Sequence, residues 1–253
     1  MRELIRHVVS MNRVSEANPD GEFWPVVFVA GCNLRCPYCM NAKIVEAPQY
    51  EKFIPMEEVL SKLEEWGEPG VMISGGEFLM GNLDVENEEL IRTLSSGGRK
   101  IGISTNGTHP EKLMKALCNP MVAFVALDCK FGLSNSEENA KAKAGMIGLN
   151  PANQMVDDIH CSLGCVSRWH DSNQDAQSEI RMTMYPPLVG QDDVLSVAKL
   201  VHPKSKLVLQ NYRKNKKFNG EANPVEPYPD EEISRIRSLV ENCLGVKTEI
   251  RWP

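Results

Sequence analysis

No stretch of this 253-residue chain approaches the run of about 18 apolar residues that a membrane-spanning helix needs. Its first residues, MRELIRHVV, are polar and charged and lack the apolar centre of a secretory signal. The expectation is therefore a soluble, cytoplasmic protein that does not engage a membrane. Positive charge is also not in excess: the net charge is −6, which provides no general attraction to nucleic acid. One basic cluster stands out, Arg213, Lys214, Lys216 and Lys217. It reads either as a solvated loop or as a docking surface for an acidic partner. Internal repeats, low-complexity tracts and linkers are missing too. One domain over 1–253 is expected, with 1–23 as an irregular lead-in covering the bottom of the fold and 131–178 as its least typical segment. In a reducing compartment the eight cysteines read as thiols or metal ligands rather than as a disulfide frame.

Three of those cysteines are bunched. An apolar, β-rich run, Val26 to Val29, ends at Gly31 and delivers Cys32, Cys36 and Cys39 in a C-x3-C-x2-C spacing. At the chain's cysteine frequency, chance would supply about 0.008 such triplets. A structural zinc site would want a second C-x2-C knuckle, and none follows. A disulfide reading would need an even set and an oxidising compartment. A 4Fe–4S cluster held by three thiolates suits the triplet better, because it leaves one iron open to a substrate or cofactor.

The rest of the chain alternates. Helical spacing is read over Pro55 to Trp66, Val85 to Ser96, Pro110 to Cys118, Ala152 to Trp169, Asp192 to Val201 and Glu231 to Leu244. Short strands are read at 71–73, 101–104, 122–127, 179–184, 207–209 and 246–250. Residues 131–149 look like a polar, glycine-bearing excursion. Six or seven β-α units in order predict an α/β fold with a parallel sheet, a partial (β/α)6 TIM-type barrel open on one side. In such a fold the strand ends converge on one mouth, so residues distant in sequence share a pocket.

The segment CNLRCPYC, with Tyr38 before the third cysteine, resembles the signature of the radical S-adenosylmethionine (SAM) superfamily. The resemblance implies that Cys32, Cys36 and Cys39 hold a 4Fe–4S cluster whose open iron takes the amino and carboxylate groups of SAM. Reductive cleavage of SAM then gives a 5′-deoxyadenosyl radical that abstracts hydrogen. It also implies that Tyr38 belongs to the cofactor site. Gly75-Gly76-Glu77 would be a plain turn by itself; at this position it matches the family's motif for the SAM amino group. Ser104-Thr105-Asn106 reads as a helix-capping turn or as polar contacts to SAM. Glycyl-radical activases of the family usually carry Asp where Ser104 stands, which puts a cation site there in question. Asp128-x-Lys130 matches the activases' DxK pattern; a surface ion pair is the plainer alternative. Arg181 with Pro186 resembles their R-x4-P segment, in which the arginine faces SAM. Leu209-Gln210-Asn211-Tyr212 resembles a segment that follows strand six in one subgroup.

The order and spacing of these segments resemble activating proteins of anaerobic ribonucleoside-triphosphate reductase over nearly the whole chain. The implied reaction is hydrogen abstraction from a glycine of a partner glycyl-radical enzyme, fed by a flavodoxin- or ferredoxin-type electron donor. Three alternatives stand beside it. They are activation of another glycyl-radical enzyme, radical modification of a small molecule, peptide or RNA, and a non-catalytic iron–sulfur protein. Of the remaining cysteines, Cys118 and Cys243 are expected in the core. Cys161 and Cys165 share a helix face near His160 and His170, and burial explains them better than an auxiliary metal does.

Overall fold

Runs of four to eight residues, each with at least one valine or isoleucine, supply the strands, and all of them join one sheet in chain order. The computed structural model describes residues 8–13, 22–45, 53–80, 84–133, 137–148, 152–214 and 224–252. The strands are β1 Val8–Asn12, β2 Val26–Val29, β3 Gly70–Gly75, β4 Lys100–Thr105, β5 Val122–Asp128, β6 Gln177–Met184, β7 Lys206–Asn211 and β8 Thr248–Arg251. From β2 to β8 every neighbouring pair is parallel. Among the described residues no pairing joins β1 to β8, so the sheet curls as a partial barrel and stays open between those edges.

Parallel neighbours need crossovers, and the helices provide them. They are α1 Ala42–Val45, α2 Met56–Trp66, α3 Asp84–Leu94, α4 Pro110–Leu117, α5 Glu137–Ile147, α6 Ala152–Ser172, α7 Gln191–Ala198 and α8 Asp230–Leu244. The larger core lies between these helices and the outward residues of the strands, such as Val27, Val29, Ile73, Ile103, Val125 and Ile180. Inward residues form a second, smaller core of Trp24, Val26, Met72, Phe124 and Ala126. Trp24 plugs the floor: a Cβ on Gly70 would come within 2.3 Å of its ring, and one on Gly102 within 3.3 Å.

Two segments depart from expectation. Residues 1–23 were expected to be an irregular cover for the bottom, yet Val8–Asn12 forms an edge strand antiparallel to β2. The free edge of β2 needs hydrogen-bond partners, and these five residues supply them despite a weak pattern. The turn expected at Asn18-Pro19-Asp20-Gly21 lies outside the described residues. Residues 131–149 were expected to be an excursion, yet Glu137–Ile147 is helical. Its buried stripe is Ala140, Ala144 and Ile147, at i, i+4 and i+7. Alanine barely registers as apolar, so the period was easy to miss.

A buried histidine sits at the floor beside β6. His170 has no exposed surface. Its Nε2 lies 2.7 Å from Ser178 Oγ, which donates to Ser205 Oγ at 2.7 Å, and its ring stacks on His202 at 4.9 Å. Burial, then the charges of His202 and Lys204, push its pKa down to about 4, with Asp171 opposing weakly. The unfolded chain takes up this proton near pH 6.5, the folded chain only near 4. Stability is therefore complete above about pH 6.5 and drains away as pH falls towards 4, by at most about 3 kcal/mol. Urea midpoints at pH 7.5 and 4.5, compared with His170→Gln, should show a smaller acid loss in the variant.

Candidate active site

The cysteine loop is built by its neighbours. At its start Gly31 N donates to Ile44 O (2.8 Å) and Cys32 N to Val45 O (3.2 Å), so the short helix α1 closes over it. In its middle Arg35 N donates to Ile147 O (2.7 Å), and Leu34 bridges to Gly148. The unforeseen helix α5 is thus a shelf for the thiols. The Arg35 guanidinium donates to Cys32 O and Leu34 O at 2.8 and 2.9 Å, which fixes the loop internally.

The ends of β3 and β4 hold the loop's other side. Gly75 has φ +106°, and a Cβ on Gly76 would fall 1.8 Å from Gly31 O. No side chain fits there. Glu77 N donates to that same Gly31 oxygen at 2.8 Å. The Glu77 side chain is buried, and its oxygens accept from Leu79 N (3.0 Å), Thr105 Oγ1 (2.7 Å) and Asn106 N (2.6 Å). Asn106 Nδ2 in turn donates to Asn33 Oδ1 at 3.0 Å and approaches Cys32 Sγ at 3.9 Å. A closed set of hydrogen bonds, Asn33–Thr108–Asn106, completes the brace. Glu77 and Thr105 therefore tie β3 to β4 and the loop, and the two glycines leave backbone facing the cavity.

Burial dominates the electrostatics of the thiols. It raises Cys36 to about 12 and Cys32 to about 11, and it raises Cys39 as well. Lys130 pulls each of them back a little. Binding iron must displace these protons, so uptake is coupled to proton release. Lys130 Nζ lies 3.2 Å from Asp128 Oδ2; burial opposes its charge, but Asp128 holds it protonated. Tyr38 is buried, and its ring packs against Tyr185 at 5.0 Å and Tyr212 at 6.4 Å. Burial drives its phenol well above the usual value.

All thirteen sequence-predicted residues line one cavity of about 550 Å³. Register explains the convergence: Phe28 pairs with Ser74, Asp128 with Arg181, Thr183 with Gln210, and Gln210 with Arg251, all facing inward. The wall from β2 to β5 is largely apolar below the mouth, and the wall from β6 to β8 is polar. Sequence reasoning missed Arg251 on β8, Trp252 just after it, Glu179 beneath Arg181 and Met40 at the rim, and it named Arg213 only as part of a basic cluster. The repeated tripeptide Glu-Ile-Arg, at 179–181 and 249–251, was the available signal.

Other expectations fare differently. Cys118 and Cys243 are exposed, not core. The first lies just past the end of α4 and the second in the last turn of α8, where the helices outrun the sheet. Cys165 is buried against Pro110 O (3.6 Å) and Arg168 (3.5 Å), whereas Cys161 and His160 are exposed and His170 is at the floor. Arg213 and Lys214 are exposed, with Lys214 paired to Glu226; Lys216 and Lys217 lie outside the described residues. No helix among the described residues is long and apolar enough to cross a membrane.

The family model for the radical SAM superfamily matches residues 26–132, the span that holds the triplet, both glycines, Glu77 and the Asp128–Lys130 pair. Residues 26–132 are thus a radical SAM domain. The chain is 25% identical over 244 residues to a Methanocaldococcus jannaschii protein provisionally named a glycyl-radical enzyme activating enzyme. That match spans 96% of the chain and 90% of the relative. Streptococcus suis SuiB bound to S-adenosylmethionine superposes with TM-score 0.57 at 13% identity. The match takes in 88% of the chain but only 48% of SuiB, so the chain spans about half that protein's length. The structure of anSMEcpe with bound AdoMet gives TM-score 0.51 at 15% identity, over 88% of the chain and 62% of the other. At such identities the likeness shows the fold alone.

The family uses a 4Fe–4S cluster and SAM, and the donor set fits. Three soft thiols border a cavity roomy enough for a cofactor. Among the described residues no three His, Cys, Asp or Glu side chains gather tightly enough for a single ion. A cluster does not require that, because each thiolate takes a different iron. The three thiols suit a cluster.

Proposed function

We propose that this radical SAM enzyme generates a glycyl radical on a partner enzyme, anaerobic ribonucleotide reductase being the foremost. The observation that carries the reading is convergence of the thiols, the Asp128–Lys130 pair and Arg181 on one cavity at the C-terminal parts of the strands. The chain-length similarity to the M. jannaschii protein supports the activase type. Cys32, Cys36 and Cys39 would hold the cluster, which when bound supplies the electron that cleaves SAM to the 5′-deoxyadenosyl radical.

The remaining residues then have defined tasks. Asp128 and Lys130 meet the charged ends of SAM, and Arg181 its carboxylate. Gly75 and Gly76 admit the ligand to the backbone, while Ser104, Thr105 and Asn106 shape the polar rim beside it. Tyr38, packed among tyrosines, keeps water from the cluster side. Around the mouth Met40 is 72% exposed and Trp252 44%, with Arg213 also exposed. Thioether, indole and guanidinium are the side chains enriched where polypeptides dock. A loop carrying the target glycine suits this opening better than a small molecule. Cys32 and Cys39 are only partly buried, so a flavodoxin- or ferredoxin-type donor in the cytoplasm could reach the cluster from outside.

The test is anaerobic electron paramagnetic resonance of the reduced, reconstituted protein with SAM and the source organism's anaerobic ribonucleotide reductase. A glycyl doublet that requires SAM and vanishes with Cys36→Ala is expected. Release of 5′-deoxyadenosine without a doublet would retain the radical chemistry and replace the substrate. A full 4Fe–4S spectrum in Cys36→Ala would overturn the ligand assignment.

A further inference from the structure

Beneath Arg181 lies a charged network that the cofactor reading does not use. Glu179 is 1% exposed and Arg181 5%, both on the inner face of β6. Arg181 Nε donates to Glu179 Oε2 at 2.9 Å. From β8, with β7 between them, Arg251 reaches the same carboxylate: Nη1 donates to Oε2 at 2.9 Å and Nη2 to Oε1. Arg251 Nε donates to Glu249 Oε1 at 3.1 Å, and Glu249 also meets Lys206 at 3.4 Å. Burial opposes the charge of Arg251, yet Glu179 and Glu249 hold it protonated.

The two arginines are used differently. Arg251 spends all three of its nitrogens on carboxylates. Arg181 spends one well. Its Nη2 is 2.8 Å from Glu179 Oε2, but at an angle that makes no hydrogen bond, and it is buried without another partner among the described residues. Two guanidiniums share one carboxylate, so the trio keeps a net positive charge where Arg181 lines the cavity. A carboxylate left to one arginine prefers the two-pronged, fully neutralising grip. Arg251 prevents that grip by occupying Oε1.

We propose that Arg251 is a positioning residue: by engaging Glu179 from the last strand of the sheet, it keeps the outer edge of Arg181 turned to the cavity and charged for the carboxylate of SAM. This rests on the reading of the cavity as the SAM site. Without Arg251, Glu179 takes Arg181 in a fork, and the cavity loses its anion-binding edge. Lysine at 251 restores the charge but only one contact, so it restores the function in part.

The test uses the anaerobic holoenzyme without reductant, so that nothing turns over. Equilibrium dialysis measures the dissociation constants of SAM and of decarboxylated SAM. Arg251→Met is expected to weaken SAM about tenfold while moving decarboxylated SAM less than about twofold, and Arg251→Lys to recover part of the loss. The double variant Glu179→Gln/Arg251→Met removes both charges with similar volumes. It leaves Arg181 uncaptured and is expected to bind SAM nearly as well as the parent, which also guards against a folding defect in the single variant. Arg181→Met tests the underlying reading. If it leaves the preference for SAM over decarboxylated SAM intact, the SAM-carboxylate assignment fails. If it lowers that preference and Arg251→Met does not, the positioning role fails. Equal weakening of both ligands by Arg251→Met, or no recovery in the double variant, overturns it too.

Discussion

Gly76→Ala is expected to strip the protein of its iron although every cysteine remains. The added methyl would lie 1.8 Å from Gly31 O and 2.6 Å from Gly31 C, far inside contact distance. Both atoms are backbone, so no side chain can swing aside. Gly31 O is already fixed by Glu77 N, and Gly31 immediately precedes Cys32. Either the end of β3 or the cysteine loop must move by more than an ångström, and the thiols lose their common geometry. Iron and sulfide per chain after anaerobic reconstitution should fall about ten- to a hundredfold, with the far-ultraviolet circular dichroism retained. Full iron content would show that the loop adapts, and that the close glycine contact is incidental.

Glu77→Ala should cost about 3 kcal/mol of stability and loosen the same loop. The carboxylate is buried and receives two backbone N–H groups and one hydroxyl, each a charge-assisted bond. Its removal strands Leu79 N and Asn106 N without a partner, and buried orphan donors cost about 1–3 kcal/mol each. Glu77→Gln is the milder change. It keeps the shape, but its NH2 group must face one of those donors. Denaturant midpoints in the iron-free state measure the effect; a change below about 0.5 kcal/mol for Glu77→Ala would mean the brace is dispensable.

The two variants also show which parts of the site could be read from the chain. The strand-end motifs were legible because barrels gather strand ends, and each motif sat at the end of an apolar run. Its order alone placed Asp128 beside Arg181. What the motifs do was less legible. Glu77 lines the cavity, and its carboxylate also accepts from Thr105 and Asn106, 28 and 29 residues further on, which the motif does not announce. Strand β1 and helix α5 escaped because their burial is carried by single valines and by alanines, whose patterns are faint. Glu179 and Arg251 are 72 residues apart, and only the matching Glu-Ile-Arg tripeptides hint that they meet. Pairings between distant strands are decided by tertiary register, which local periodicity does not encode.

The site is assembled from both ends of a vectorial process. During synthesis the thiols at 32–39 leave the ribosome more than two hundred residues before Arg251 and Trp252. Domains generally fold as units. The cysteine loop rests on α5 as well as on the ends of β3 and β4, and the β8 wall of the cavity forms only when β8 pairs with β7. A chain cut short before β8 would therefore keep all three thiols yet lack the Arg251–Glu179 contact.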